Sequence, residues 1–344
     1  MARSDSPAAG ARPSLPNGAA TGPVQRIGFI LLPGFALMSY AAATEPLRAA
    51  NILAGRPLFE VAAFGEAGGP VASSGGATVP VHPLPGREAG LDIAFVCAGG
   101  SPAAWHRPAV HAALRQLASE GVRIGGISGG PYVLAAAGLL RERRFTVHWE
   151  HAPALREAFP ALVPEQARFV IDRDRLTCGG GVAPLDMMHA LIAARMGEGF
   201  ARRVSDWYLH TEVAGAAGPQ RASLCERYGV SHPGLVAVLE KMEASIAVPL
   251  PRAAMARLAG VSPRQLDRLF ARHLGAGAAE IHRRLRLEHA GRLLRESPLS
   301  VAEIAFAVGF SSPGHFARCF RSAFGQSPAM ARGARPAVPP DAPA

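Results

Sequence analysis

The sequence predicts a doubly wound α/β domain with a mostly parallel sheet, followed by an all-α domain with two helix-turn-helix units. Three observations carry this. From Arg26 to about Gly199, short apolar runs alternate with stretches of helical spacing. Several runs are apolar throughout, as expected of strands buried on both faces of a parallel sheet. The last hundred or so residues contain no convincing strand, and a helix–glycine turn–helix pattern occurs in them twice.

The chain's ends stand apart from this pattern. MARSDSPAAGARPSLPNGAATGPVQ, residues 1–25, is rich in Pro, Gly, Ala and Ser and has no hydrophobic period; it reads as a disordered tail, as do residues 336–344. It lacks the continuous apolar stretch of a signal peptide. No later run reaches the ~18 apolar residues needed to span a bilayer. The four cysteines (Cys97, Cys178, Cys225, Cys319) are scattered without paired spacing, which suits free thiols in a reducing cytoplasm. No membrane partner is expected.

In the first domain, expected over 26–205, RIGFILL, LFEVAAF, LDIAFVCAG, VRIGGIS, RFTVHW and RLTCGGG read as strands. Helical spacing is found at 39–53, 107–120, 130–140 and 182–196. Open sheets of this kind bind ligands at the carboxyl ends of their strands. A linker is expected over 206–236, with GAAGPQ at 215–220 as its weakest point.

The second domain, expected over 237–335, carries the repeat. Ala256, Gly260 and Val261 recur as Ala305, Gly309 and Phe310; beyond the turn, Ser262, Pro263, Arg268, Phe270 and Gly275 recur as Ser312, Pro313, Arg318, Phe320 and Gly325. Serine suits an N-cap, and proline suits the first helical position, where its missing N–H costs little. Between the copies, AAEIHRRLRLEHAGRLLRES fits a rigid connecting helix. Residues 250–335 hold fourteen arginines against five acids, so nine of the ten net positive charges lie there. Such asymmetry points to a polyanionic partner, nucleic acid first. In the first recognition helix Arg264, Gln265, Asp267 and Arg268 are the groove-facing candidates, and in the second Ser312, His315 and Arg318. Arginine pairs bidentately with guanine and glutamine suits adenine. His315 has two readings, a base edge or a phosphate.

The stretch GGISGGPYVLAAAG fits the G-x-S-x-G pattern of a nucleophile elbow, with Ser128 at its centre. An alcohol needs an adjacent base to attack. His148 and His151 are the candidate bases, and Asp172, Asp174 or Asp186 the orienting acid. A binding role uses the same geometry: Ser128, Gly129 and Gly100 would line the rim at the strand ends. His148, Trp149 and Glu150 follow another strand, and Trp149 with Glu150 would hold a cationic group through a π face and a carboxylate. Trp149 has a simple packing role as its other reading. HWEH lacks the spacing of a zinc site, and neither metal nor cofactor is expected.

The tail LSVAEIAFAVGFSSPGHFARCFRSAFGQSP is similar to the signature of AraC/XylS-type transcription regulators. IGFILLPGF, EPLRAAN, GGISGGPYVLAAAGLL, TVHWEH and LTCGGGVAPLDMMHALIA resemble the flavodoxin-like, PfpI-like, class I glutamine amidotransferase-like sensor half of GlxA-type regulators. Enzymes of that wider superfamily place cysteine at the elbow, often followed by histidine; here Ser128 and Gly129 stand there. The resemblance implies a cytoplasmic, ligand-responsive regulator without catalytic residues. It would bind operator DNA as a homodimer, answer to an effector such as an amino acid or betaine-like compound, and contact RNA polymerase if it activates. The enzyme alternative is a Ser-dependent amidase or hydrolase carrying a DNA-binding tail.

Overall fold

The computed structural model describes residues 22–333 apart from Pro298; of the tail expected over 1–25, residues 1–21 lie outside the described residues, as does the tail expected over 336–344, while Gln25 already opens the first strand. The strands are β1 (Gln25–Leu31), β2 (Phe59–Gly65), β3 (Ala67–Ala72), β4 (Thr78–Pro83), β5 (Ile93–Ala98), β6 (Arg123–Ser128), β7 (Phe169–Asp172) and β8 (Arg175–Cys178). They form one sheet in the order β3-β4-β2-β1-β5-β6-β8-β7. The central six pair in parallel, while β3 and β7 close the edges antiparallel. The helices of this domain are α1 (Leu37–Ala54), α2 (Pro108–Ser119), α3 (Gly130–Ala136), α4 (Ala152–Ala158), α5 (Ala183–Met196) and α6 (Glu198–Trp207). Alternate residues of β1 and β5 feed two cores. Phe29 and Phe95 pack with Leu47, Met187 and Val204 from α1, α5 and α6; Ile30 and Val96 pack with Leu114, Leu134 and Leu155 from α2, α3 and α4. Helices on both faces make the sheet doubly wound, as expected.

The sequence reading differs from the structure in several places: α4 and α6 were not expected, and the helix expected over 130–140 ends at Ala136. RFTVHW is not a strand: only Thr146 makes a ladder contact, an isolated bridge to Glu165. The β3–β4 hairpin was not expected, since AGGPVA and TVPVHP are short and carry glycine or proline in their interiors. β7 was also missed; FVID is a four-residue edge strand.

The second domain consists of α7 (Leu224–Tyr228), α8 (Pro233–Ala244), α9 (Arg252–Ala259), α10 (Pro263–Leu274), α11 (Ala278–Glu296), α12 (Val301–Ala307), α13 (Pro313–Phe324) and α14 (Pro328–Gly333). It has two cores, one around Leu239, Leu266 and Phe270 and the other around Ile304, Phe316 and Phe320. α11 belongs to both, giving Leu285 to the first and Leu293 to the second.

Of the segment expected to link the domains, the beginning and the end are built into them. Leu224, Val230 and Leu235 are buried in the first helical core. The stretch after α6 is fastened to the sheet domain by Asp186, whose side chain is fully buried. It pairs with Arg168 at 2.6 Å and His210 at 2.8 Å, and accepts the Ala214 N–H at 2.9 Å. A buried carboxylate is tolerable only when so compensated, and removing it would leave Arg168 facing an empty partner position. Asp186→Ala should therefore cost about 3 kcal/mol, read as a lowered midpoint in chemical unfolding. A midpoint within experimental error of the parent would show that the cluster contributes nothing.

Candidate ligand site and candidate nucleic-acid interface

The carboxyl ends of β1, β5, β6 and β8 carry loops that close on one another. Ser128 ends β6 with φ +61°, one of four described non-glycine residues at positive φ. That conformation costs a residue with a β-carbon on the order of 1 kcal/mol, and it is the elbow's signature. The chain then turns straight into α3, where a β-carbon at Gly130 would stand 2.1 Å from the Val96 carbonyl oxygen. Helix and strand meet so closely that only glycine fits.

Around this turn the expected site residues gather. Ser128 is only 6% exposed, and its carbonyl accepts the His148 N–H at 3.3 Å. The Gly129 N–H is spent on the Ala98 carbonyl at 3.0 Å, so it is not free for a ligand. Trp105 packs beside Gly129, and its indole N–H donates to the Gly99 carbonyl at 2.9 Å. Gly100 is exposed on the rim, and the Gly181 N–H donates to Ser39 Oγ at 2.8 Å, tying the β8 loop to α1.

His148 lies 5.4 Å from His151 and from Trp149, ring to ring. Burial, and then the neighbouring His151, lower its pKa to about 4. Such an imidazole stays neutral at pH 7 but is a weak general base. The acids considered as its orienting partner are engaged elsewhere. Asp172 accepts the Arg144 N–H, Asp174 pairs with Arg143 and Arg175, and Asp186 pairs with Arg168. His189 bonds Ser205 and Glu198. Among the described residues, these partners leave no acid on His148 to complete a catalytic relay with Ser128.

Two partners of this rim were not legible in sequence. Arg221 lies over the Trp149 ring at 4.2 Å, and Arg295 reaches the Glu150 carboxylate at 3.4 Å. Gln220 donates to Thr146 Oγ1 (2.9 Å), the Val147 carbonyl (3.0 Å) and the Ala167 carbonyl (2.6 Å), while its Oε1 accepts the Trp149 N–H at 2.8 Å.

On the helical domain both recognition helices start as expected. Ser262 caps α10 in a capping box with Gln265, and Ser312 caps α13 by accepting the His315 N–H. Arg264, Gln265, Asp267, Arg268, Ser312, His315 and Arg318 are all exposed. Three of them have local duties. Gln265 Oε1 accepts the Ser262 N–H at 2.9 Å, Ser312 Oγ is the cap, and Asp267 is ion-paired with Arg252. Arg264, Arg268 and Arg318 make no ion pair among the described residues. Arg272, one turn beyond Arg268, continues their row and was missed in the sequence reading; its four-residue spacing was the available signal.

The two units are locked together. Arg286 of α11 donates to the Val308 carbonyl at 2.6 Å and lies 4.3 Å from the Phe310 ring, bracing the second turn. Gly309, at φ +80°, sits against the backbone of Ala247, where an added β-carbon would stand 2.0 Å from a carbonyl oxygen. Its counterpart Gly260 has the same handedness but open space around it.

Residues 25–194 match the DJ-1/PfpI family and residues 255–334 a helix-turn-helix domain. The chain is 61% identical over 90% of its length to the HTH-type transcriptional regulator GlxA of Rhizobium meliloti, covering 96% of that protein. It is 40% identical over 93% of its length to the HTH-type transcriptional regulator CdhR of Pseudomonas aeruginosa, covering 96% of it. Among solved structures, an AraC family transcriptional regulator from Pseudomonas putida superposes with a TM-score of 0.50 at 28% identity. That match covers 54% of this chain and 99% of the other.

Two expectations can be measured directly. Gly309→Ala should destabilise the helical domain by roughly 2 kcal/mol more than Gly260→Ala, because a steric clash adds to the backbone strain both share; equal losses in thermal unfolding would refute the asymmetry. Acid should also weaken the fold. Burial lowers the pKa of His148 and His289 to about 4, from 6.5, and lowers those of His111 and His282 as well. The unfolded chain binds protons that the folded chain refuses, so stability is complete above pH 6.5 and falls as pH drops towards 4. Urea midpoints should decline between pH 7 and 5, less steeply in His148→Gln; a flat profile contradicts this.

Proposed function

Because the chain belongs to the family of HTH-type transcriptional regulators in which a DJ-1/PfpI domain precedes an AraC-type helix-turn-helix domain, we propose that it binds promoter DNA as a homodimer and changes its occupancy when a small molecule meets the rim around Ser128. The observation that carries this is the pair of capped recognition helices on one rigid α11, with Arg264, Arg268 and Arg318 exposed and without an ion pair among the described residues. Two such helices on one lever fit successive major-groove segments, about 34 Å apart along a duplex. Its home is the cytoplasm, in keeping with the absence of any helix among the described residues long and apolar enough to cross a membrane.

The effector reading rests on Ser128 and Gly100 at the strand ends, where open α/β sheets take ligands, with Gly129 turning the chain and His148, tied to the Ser128 carbonyl, leading into Trp149 and Glu150. Trp149 and Glu150 favour a compound with a cationic nitrogen, an amino acid or a betaine-like molecule among them. The sheet domain mediates dimerisation, and an activating form would meet RNA polymerase through the helical domain. The domain boundary belongs between Gln220, held by the sheet domain, and Ser223, which caps α7.

A fragment beginning at Ser223 should keep the whole helical core and bind duplex from its own promoter region, with log affinity falling steeply against log salt. Arg268→Ala and Arg318→Ala should each lower affinity; a loss of about 1–3 kcal/mol confined to one base position would mark base readout, and a uniform loss a phosphate contact. Equal affinity for its promoter and for random duplex would sink the sequence-specific reading.

A further inference from the structure

The rim's two cation-accepting groups are already occupied by the chain itself. Arg221 covers the Trp149 ring at 4.2 Å, and Arg295, near the end of α11, reaches Glu150 at 3.4 Å. Trp149 and Glu150 are consecutive, and both follow His148, whose N–H is bonded to the elbow carbonyl. Arg221 has little slack, because Gln220 immediately before it is held by four hydrogen bonds to the sheet domain. α4, which starts two residues after Glu150, lies against α11, and the charge of Arg156 on α4 acts on His289 of α11. One face of the helical domain therefore rests on the loop that closes the elbow.

We propose that Trp149, Glu150 and α4 form a docking surface for the chain's own α11, held by Arg221 and Arg295, and that a ligand taking the Trp149–Glu150 rim competes with this docking and frees the helical domain. The proposal rests on the reading of the sheet domain as the sensing half, and adds how its occupancy reaches the DNA-binding half. The chemistry is that of one cation replacing another on the same π face and carboxylate. The contacts are suitably light. Arg295 and Glu150 are 50% and 33% exposed, so their pairing shifts the docked population by roughly two- to fivefold, not by orders of magnitude. A much stronger latch could not be opened by a metabolite of ordinary affinity.

Trypsin cleavage of the full chain after Arg221, followed by mass spectrometry, reads the docking, because that bond is shielded while Arg221 lies on Trp149. Trp149→Ala and Arg295→Glu should each speed this cleavage two- to fivefold with the melting temperature of the sheet domain retained. The double variant Glu150→Arg/Arg295→Glu should return the rate to that of the parent. Solution scattering should show a larger radius of gyration in the two single variants alone. Parent-like rates and radii in both single variants would overturn the proposal, and so would a double variant that stays as fast as Arg295→Glu. Operator binding is measured on the same proteins. If none of them binds DNA, the regulator reading fails while the docking result stands on its own.

Discussion

The side-chain amide of Gln220 satisfies the backbone of a segment that no strand ladder serves. The segment from Phe145 to Trp149 runs along the strand ends without a ladder of its own, and each buried polar group there needs a partner. Gln220 supplies hydrogen bonds to the Val147 and Ala167 carbonyls and takes the Trp149 N–H. Thr177 Oγ1 takes the Thr146 N–H, and the Ser128 carbonyl takes that of His148. A residue from the connector thus completes the loop that closes the elbow. The same bonds fix where the connector leaves the domain, and with it the point from which the helical half begins.

This arrangement explains what the sequence revealed and what it hid. β1, β5 and β6 were legible because both faces of a central parallel strand are buried, which writes an unbroken apolar run. RFTVHW has the composition of a strand, yet its hydrogen bonds come from side chains 21 to 74 residues away, which no local pattern records. The edge hairpin escaped because AGGPVA and TVPVHP are short and interrupted by glycine or proline. The paired helix-turn-helix units were the most legible part: Ser262, Pro263 and Gly275, and again Ser312, Pro313 and Gly325, mark each recognition helix at both ends. Their groove-facing candidates were named from spacing alone, but spacing could not show that Gln265 and Ser312 are occupied with capping. Ser128 was recognisable as an elbow from its glycines. The guanidinium groups over Trp149 and Glu150 were not, since they come from 72 and 145 residues further along the chain.

The recognition helices carry the same formal charge but place it differently, three arginines against Asp267 in α10 and Arg318 with Arg321 and no acid in α13. α10 presents Arg264, Arg268 and Arg272 in one row, whereas Gly314, Arg318 and Ser322 hold the same positions in α13. The row on the first helix offers more donors suited to base edges, whereas the second, opening on Pro313 and Gly314 without hydrogen-bonding side chains, is suited to positioning on phosphates. The duplication preserved the packing residues, Leu266 with Phe270 and Phe316 with Phe320, while the exposed face diverged.

The bracing of the second turn by Arg286 and Gly309 has a mechanical corollary for the nucleic acid. A protein whose two reading heads cannot swivel leaves the duplex to absorb any mismatch between their separation and the helical repeat. Curvature then becomes part of the binding energy, and base steps lying between the two contacted segments, touched by no side chain, influence affinity through their stiffness. Promoters rich in easily kinked pyrimidine–purine steps at that position would accommodate such a pair of heads at lower elastic cost than rigid A-tracts.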